Sequence, residues 1–197
     1  MHKTASALLA LLTWAIPSIA ADDPGGGKTG VEVGQHLPAF TAPLLSSSGA
    51  PASPSALDSQ KQARVTAYII IGTGCPASQA YAERLATLQR TYAPKQVDFV
   101  FVYPNREDTS QAKLAFHKDK QLGAVLIDDQ GGRVARVLGA KRTSEVVLTD
   151  QKGTIVYRGG IDDSRDASGV KQRYLQNAID QTLAGKPVTV ATSLVQA

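Results

Sequence analysis

The chain has 197 residues, of which 43% are hydrophobic and 19% charged, and its 21 lysines and arginines against 17 acidic residues give a net charge of +4. This balance is typical of one soluble globular domain and excludes a disordered or fibrous protein. Cys75 is the single cysteine of the sequence. A disulfide-stapled scaffold is therefore excluded, as is a zinc or iron-sulfur site built mainly from thiolates, because both need several sulfur atoms.

The N-terminus has the pattern of a secretory signal peptide. Lys3 precedes an apolar run over 5–15, and the small residues Ser18 and Ala20 favour cleavage near Ala20. A membrane helix needs about 20 apolar residues, so the run predicts export, periplasmic or extracellular, without a membrane span. The alternative, a buried N-terminal helix, is disfavoured because the acidic and glycine-rich sequence over 22–27 is typical of a linker.

The rest of the chain is long enough for one hydrophobic core. The predicted organisation is a signal peptide over 1–20, a flexible linker over 21–33, one domain over 34–185 and a C-terminal tail over 186–197. Cleavage removes one charged residue, Lys3, and leaves a mild positive charge. The basic residues are scattered among acidic ones, so the sequence predicts no nucleic-acid partner.

The predicted elements begin with a βαβ unit around Cys75. Residues 31–60 are predicted to be irregular, with at most one short strand, because serine, proline and glycine dominate much of this segment. A β-branched and aromatic run over 64–71 predicts a strand buried on both faces, followed by a glycine-rich turn. Apolar residues at helical spacing then predict a helix over 76–92 with Pro76 at its first position. A second buried strand over 97–103 completes a parallel unit with a right-handed crossover.

The pattern of the second half of the chain predicts three more helices, one strand and a β-hairpin. These elements are a helix opened by a capping box over 108–111 and ending near Gly123, a strand over 124–127, a short helix over 134–138, hairpin strands over 146–149 and 154–157, and a helix over 170–184. The order predicts an α/β fold with a mixed sheet covered by helices on both faces.

Cys75 is the candidate nucleophile because it stands where a strand turns into a helix. A free thiol has a pKa of about 8.5, and a helix N-terminus lowers it by favouring the thiolate. Gly72 and Gly74 allow a sharp turn that leaves the sulfur uncovered, and the Ser78 hydroxyl lies one helical turn away. The alternative is a small buried hydrophobe, which is the usual role of a free cysteine. The strand-turn-helix context and the predicted export favour a reactive thiol.

The order of elements and the Gly-Thr-Gly-Cys-Pro-Ala-Ser segment over 72–78 resemble the thioredoxin-like redoxin family. This is the exported bacterial branch of the alkyl hydroperoxide reductase and thiol-specific antioxidant superfamily. The resemblance runs from about Gly34 to Val190. Its most specific parts are 75–78, 102–105, 157–163 and 184–188. It implies a thioredoxin-like fold, a central mixed β-sheet flanked by helices, with Cys75 in the position of the attacking cysteine.

The chain departs from the thioredoxin pattern at two positions and from the peroxiredoxin pattern at a third. Ser78 stands where thioredoxins have a second cysteine, so no intramolecular disulfide can form there. Ser144 matches the position of the cis-proline, and a trans bond is expected because a cis bond before a non-proline residue costs about 2.5–4 kcal/mol. Thr73 lies two residues before Cys75, whereas peroxiredoxins place threonine three before.

The resemblance implies two groups of site residues. The first is a catalytic group formed by Cys75, Ser78, Thr73 and Pro76. The second is a substrate-binding pair formed by Thr143 and Ser144, in which the backbone of Thr143 would bind a substrate chain.

Other site types have weaker support in the sequence. The acidic pairs at 128–129 and 162–163 could bind Ca²⁺ or Mg²⁺, but turn and cap roles at strand ends are the favoured interpretation. His36 and His117 lack ligand spacing, and the glycine-rich segment over 25–30 lacks the spacing of a phosphate loop. The sequence therefore predicts no metal and no cofactor.

Two functions remain open from the sequence. The first is an exported monothiol oxidoreductase or antioxidant redoxin, in which Cys75 attacks a disulfide or a peroxide and an external thiol resolves the product. The second is a non-catalytic binding protein on a thioredoxin scaffold that docks a partner or a metal and keeps a vestigial thiol. The first predicts an external thiol reductant or a disulfide-bearing protein as partner.

Overall fold

A computed structural model describes residues 31–45, 56–61, 64–123 and 125–196. The predicted signal peptide over 1–20 and most of the predicted linker lie outside these residues. Among the described residues no helix combines the length and the apolar character needed to cross a bilayer.

In the described part of the chain, seven strands form one mixed sheet in the order β2-β1-β5-β4-β3-β6-β7. The strands are β1 (Thr41–Leu45), β2 (Ala56–Asp58), β3 (Val65–Ile70), β4 (Val97–Tyr103), β5 (Leu126–Asp128), β6 (Val146–Thr149) and β7 (Ile155–Gly159). Strand β4 runs parallel to both β3 and β5, and the remaining pairs are antiparallel. All six residues of β3 are buried, as expected for a central strand covered on both faces.

Four α-helices accompany the sheet within the described ranges. They are α1 (Pro76–Tyr92), α2 (Ser110–Lys120), α3 (Arg133–Val137) and α4 (Tyr174–Leu183). Short 3₁₀ turns lie at Ser59–Lys61, Ala93–Lys95 and Ala167–Gly169.

The two faces of the sheet carry separate hydrophobic cores. Alternate side chains of β3 divide between them, with Ala67 and Ile69 in one core and Tyr68 and Ile70 in the other. The first core contains buried residues of α1, α2 and α4, and the second contains Val134 of α3. The predicted mixed sheet with helices on both faces is confirmed.

Several element boundaries differ from the sequence predictions. Helix α4 begins at Tyr174 rather than residue 170, because the Asp163 carboxylate accepts hydrogen bonds from the backbone N–H groups of Lys171 and Gln172. Strand β2 is an additional strand, and it pairs with β1. Residues 46–55, part of the segment predicted to be irregular, lie outside the described residues.

Helix α2 is capped by a different residue than its capping-box pattern predicts. The Thr109 hydroxyl accepts a hydrogen bond from the Ala112 N–H at 3.1 Å, so Thr109 is the cap. Asp108 is instead buried and turns towards the loop that precedes α1.

The C-terminal segment packs along β7. The Arg158 N–H donates to the Ala191 carbonyl at 2.9 Å, and the Ser193 N–H donates to the Arg158 carbonyl at 3.2 Å. The Ser193 hydroxyl lies 2.6 Å from the Tyr157 hydroxyl. A side chain at Gly159 would collide with Ser193, which explains glycine at this position.

Candidate active site

Strand β3, a tight turn and helix α1 place Cys75 at the helix N-terminus. Cys75 is the N-cap residue with extended backbone angles, and Pro76 follows at the start of the helix. The Cys75 N–H donates to the Gly72 carbonyl at 3.2 Å, and its carbonyl accepts from the Gln79 N–H at 3.0 Å. The sulfur is only partly buried. Its position combines access from solvent with the positive end of the helix dipole.

The Thr143 hydroxyl contacts the sulfur from the segment before β6, the strand next to β3 in the sheet. Thr143 Oγ1 lies 3.0 Å from Cys75 Sγ. Thr143 belongs to the segment that leads into β6, 68 positions along the chain from Cys75. The sequence predicts a role for its backbone, and the side-chain contact was missed because no local pattern relates residues so far apart.

Ser78 is buried beneath the turn. Its hydroxyl oxygen accepts a hydrogen bond from the Gly72 N–H at 3.1 Å. The Ser78 backbone and hydroxyl also contribute to lowering the pKa of the Cys75 thiol. Ser78 therefore fixes the turn and favours the thiolate, at the position where the resemblance to thioredoxins would place a second cysteine.

The surroundings of Cys75 favour its thiolate. Burial raises the pKa of the thiol. Hydrogen bonds from the Thr143 hydroxyl, from the backbone of Ser78 and Ala77 and from the Ser78 hydroxyl together lower the pKa by more than burial raises it, so the net pKa lies below the ordinary value. Each of these donors stabilises an anion on the sulfur. The surroundings therefore increase the fraction of the nucleophilic thiolate at any pH below the pKa.

Thr73 lies in the turn, but its side chain is held by Asp108 rather than by the sulfur. The Thr73 hydroxyl donates to Asp108 Oδ1, and the Thr73 N–H donates to Asp108 Oδ2 at 3.2 Å. Asn105 Nδ2 donates to the same carboxylate at 3.4 Å. A side chain at Gly72 would place its Cβ 2.5 Å from Asn105 Nδ2, so a larger residue there would displace the Asn105 amide. The sequence reasoning missed Asp108, whose link to Thr73 spans 35 positions.

Ser144 has a trans peptide bond, as expected, since no peptide bond in the described ranges is cis. Its φ angle is +66°, in the left-handed region that costs a non-glycine residue free energy. Its N–H donates to the Ile70 carbonyl at 2.7 Å. Ser144 is thus buried behind Thr143 and attached to the end of β3.

The acidic pairs form structural contacts. The Asp129 carboxylate accepts from the N–H groups of Val134 and Ala135, each at 2.8 Å, and Asp163 holds the backbone before α4. Asp128 pairs with buried Lys113 at 2.5 Å, and Asp162 pairs with Arg84. Within the described residues no three histidine, cysteine, aspartate or glutamate side chains group as a metal site would require.

The two candidate histidines lie in structural surroundings. The His117 ring lies against Phe101 and Tyr103, and its Nδ1 is 2.9 Å from the Gly123 carbonyl. Burial lowers the pKa of His117 to about 4, so the ring is neutral at physiological pH. His36 lies 3.1 Å from the Leu37 carbonyl through its Nδ1.

Comparison with known proteins assigns the family. The family model of Redoxin matches residues 32–173. The chain belongs to the Redoxin family. No curated protein matches this redoxin.

Solved structures share the redoxin's thioredoxin-like fold. An uncharacterised conserved protein from Geobacillus kaustophilus is 24% identical, with a TM-score of 0.68 over 79% of this chain and 84% of its own. A hypothetical protein from Sinorhizobium meliloti is also 24% identical, with a TM-score of 0.72 over 84% and 92%. A thiol:disulfide interchange protein from a Bacteroides species is 14% identical, with a TM-score of 0.58 over 79% and 92%. At these identities the likeness establishes the fold.

Proposed function

We propose that this redoxin is an exported thiol oxidoreductase that uses Cys75 alone to react with disulfides or peroxides. The observation that carries the proposal is the Thr143 hydroxyl 3.0 Å from a partly exposed sulfur at the start of α1. A structural cysteine needs neither a hydroxyl donor nor access to solvent, whereas a nucleophilic thiolate gains from both. The name of the Bacteroides relative, a thiol:disulfide interchange protein, supports the same class of reaction.

With a disulfide, the Cys75 thiolate attacks one sulfur atom and forms a mixed disulfide. The bond between the two substrate sulfurs breaks, and the second sulfur leaves as a thiolate that takes up a proton from water. An external thiolate then attacks the mixed disulfide and releases Cys75 as a thiolate. The external thiol is required because Ser78 occupies the position of a resolving cysteine.

With a peroxide, the thiolate attacks one peroxide oxygen and becomes a sulfenic acid. The O–O bond breaks, and the leaving hydroxide or alkoxide is protonated to water or an alcohol. One external thiol condenses with the sulfenic acid to give a mixed disulfide and water, and a second thiol returns Cys75 to its reduced form. Two external thiols are thereby oxidised to one disulfide.

The proposed export follows from the sequence of residues 1–20, with cleavage near Ala20. An oxidising compartment contains the disulfides with which a single, partly buried thiol could react. The proposed partners are therefore an external thiol reductant or a protein that carries a disulfide.

The decisive experiment compares the wild-type chain with Cys75→Ser. Each is given hydrogen peroxide or a small aliphatic disulfide, with glutathione as the external thiol, and consumption above the rate without protein is followed with time. The proposal expects turnover by the wild type, and loss of it in Cys75→Ser and in wild type whose thiol has been alkylated. Equal consumption by folded Cys75→Ser and wild type would support the alternative, a binding protein with a vestigial thiol.

A further inference from the structure

The loop that carries Thr143 lacks the proline that usually shapes this part of a thioredoxin fold. This Thr143 loop, residues 139–145, connects α3 to β6. Its end is fastened to β3 by two backbone hydrogen bonds, from the Ser144 N–H to the Ile70 carbonyl at 2.7 Å and from the Ile70 N–H to the Glu145 carbonyl at 3.0 Å. These bonds fix the residues behind Thr143, and the rest of the loop needs other anchors.

The Glu145 side chain supplies an anchor within the loop. Glu145 is buried, and its Oε2 accepts the Lys141 N–H at 2.8 Å, which closes the loop around Arg142 and Thr143. Its Oε1 faces the Arg158 guanidinium at 3.3 Å. One carboxylate thus binds both the start of the loop and a residue of the neighbouring strand β7.

The Arg158 guanidinium supplies the second anchor. It donates to the carbonyls of Leu138, Gly139 and Val31 as well as to Glu145. It therefore contacts the polypeptide immediately before the loop and the last residue of the loop at the same time. The side chains of Arg158 and Glu145 are 15% and 10% exposed, so water competes weakly for these contacts.

We propose that Glu145 and Arg158 are positioning residues that hold the Thr143 hydroxyl against the Cys75 sulfur in place of a cis-proline. The inference rests on the proposed function for its importance in catalysis, but the position of the hydroxyl can be measured without turnover. A buried ion pair is costly to desolvate and is weak support for stability, which favours a role in fixing conformation. The planar guanidinium suits this role because its donors diverge in a rigid fork that can bind several oxygens at once.

The test measures the pH profile of Cys75 alkylation by iodoacetamide in the full chain. The variants are Glu145→Gln and Arg158→Lys, each made in the wild type and in Thr143→Val. If the pair acts through Thr143, both variants raise the pKa of Cys75, and alkylation below that pKa slows by about threefold or more, in proportion to the thiolate fraction. In the Thr143→Val background the same changes then have no further effect, because the hydroxyl is already absent.

Asp162→Asn is the matched control. Asp162 is a buried carboxylate paired with Arg84, and this arginine also binds two backbone carbonyls, of Ser164 and Arg165, away from the Thr143 loop. Its replacement perturbs a similar ion pair and is expected to leave the alkylation profile unchanged. A shift as large as that of Glu145→Gln would show that the effect is general destabilisation, and would overturn the inference.

The remaining outcomes also decide between interpretations. A folded Glu145→Gln with the wild-type profile would refute the positioning role, and so would an equal shift in the presence of Thr143→Val. If Glu145→Gln does not fold, Arg158→Lys decides, because it keeps the charge and removes the fork.

Failure of the wild type to turn over any substrate would refute the proposed function and leave the positioning result intact. Wild-type turnover with unshifted alkylation profiles in the variants would refute only the positioning inference.

Discussion

Replacing Ser144 by proline tests whether the Thr143 loop is a different solution from the cis-proline of thioredoxins. Proline holds φ near −65°, whereas Ser144 has a φ of +66°. Proline also has no N–H, so the 2.7 Å hydrogen bond from residue 144 to the Ile70 carbonyl is lost. The observed loop therefore cannot contain proline without rearrangement.

The expected loss of stability follows from these two changes. An acceptor left unpaired in a buried region costs about 1–3 kcal/mol. The backbone at residue 144 must also rotate by more than 100° to reach a proline φ, which separates Glu145 from its partners and costs about 1–3 kcal/mol more. We expect Ser144→Pro to lower the free energy of unfolding by about 2–6 kcal/mol, the sum of the two contributions.

Urea denaturation of Ser144→Pro and Ser144→Gly measures the effect. Glycine keeps the N–H and adopts a positive φ freely, so Ser144→Gly is expected to lie within about 1 kcal/mol of the wild type. A Ser144→Pro protein as stable as the wild type would refute the reasoning. Such a result would mean that the loop can adopt the thioredoxin conformation at no cost.

Three further predictions concern single contacts. Thr143→Val is expected to raise the pKa of Cys75 and slow its alkylation at low pH, whereas Thr143→Ser keeps the wild-type profile, and an unchanged profile in the valine variant would contradict the contact. Asp108→Asn weakens the contacts to Thr73 and is expected to cost about 1–3 kcal/mol in urea denaturation. The pKa of His117 is lowered to about 4, so the unfolded chain takes up the proton first as pH falls. The wild type is therefore expected to lose about 2 kcal/mol more stability between pH 7 and pH 5 than His117→Gln, and equal losses would contradict the burial of a neutral ring.

The elements predicted best are those whose pattern depends on local sequence. Strands β3 and β4 are runs rich in β-branched and aromatic residues, and α1 has a proline at its start and apolar residues at helical spacing. Strand β2 has only three residues, too few to show a periodicity, and it is defined by its pairing with β1. The late start of α4 depends on the Asp163 carboxylate, which binds backbone groups that would otherwise belong to the helix.

The candidate site also has one part that the local sequence predicts and another that it does not. The position of Cys75 at the start of a helix could be predicted because the turn, the proline and the helix are contiguous in sequence. The contacts from Thr143 and Asp108 could not, because they join residues 68 and 35 positions apart through the packing of the sheet. The alternation of strand residues fixes which face a side chain occupies, but not which hydroxyl reaches the sulfur.

The groups that stabilise the Cys75 thiolate differ in kind from those of a dithiol site. In a dithiol site each sulfur titrates in the field of the other, and the two ionisations are coupled. Here the donors to the sulfur are the Thr143 and Ser78 hydroxyls and backbone N–H groups, none of which titrates near neutral pH. Because Cys75 is the single cysteine of the chain, its alkylation rate is expected to follow one ionisation between pH 5 and pH 9. A second transition in this range would show that another titrating group lies beside the sulfur and would contradict the described site.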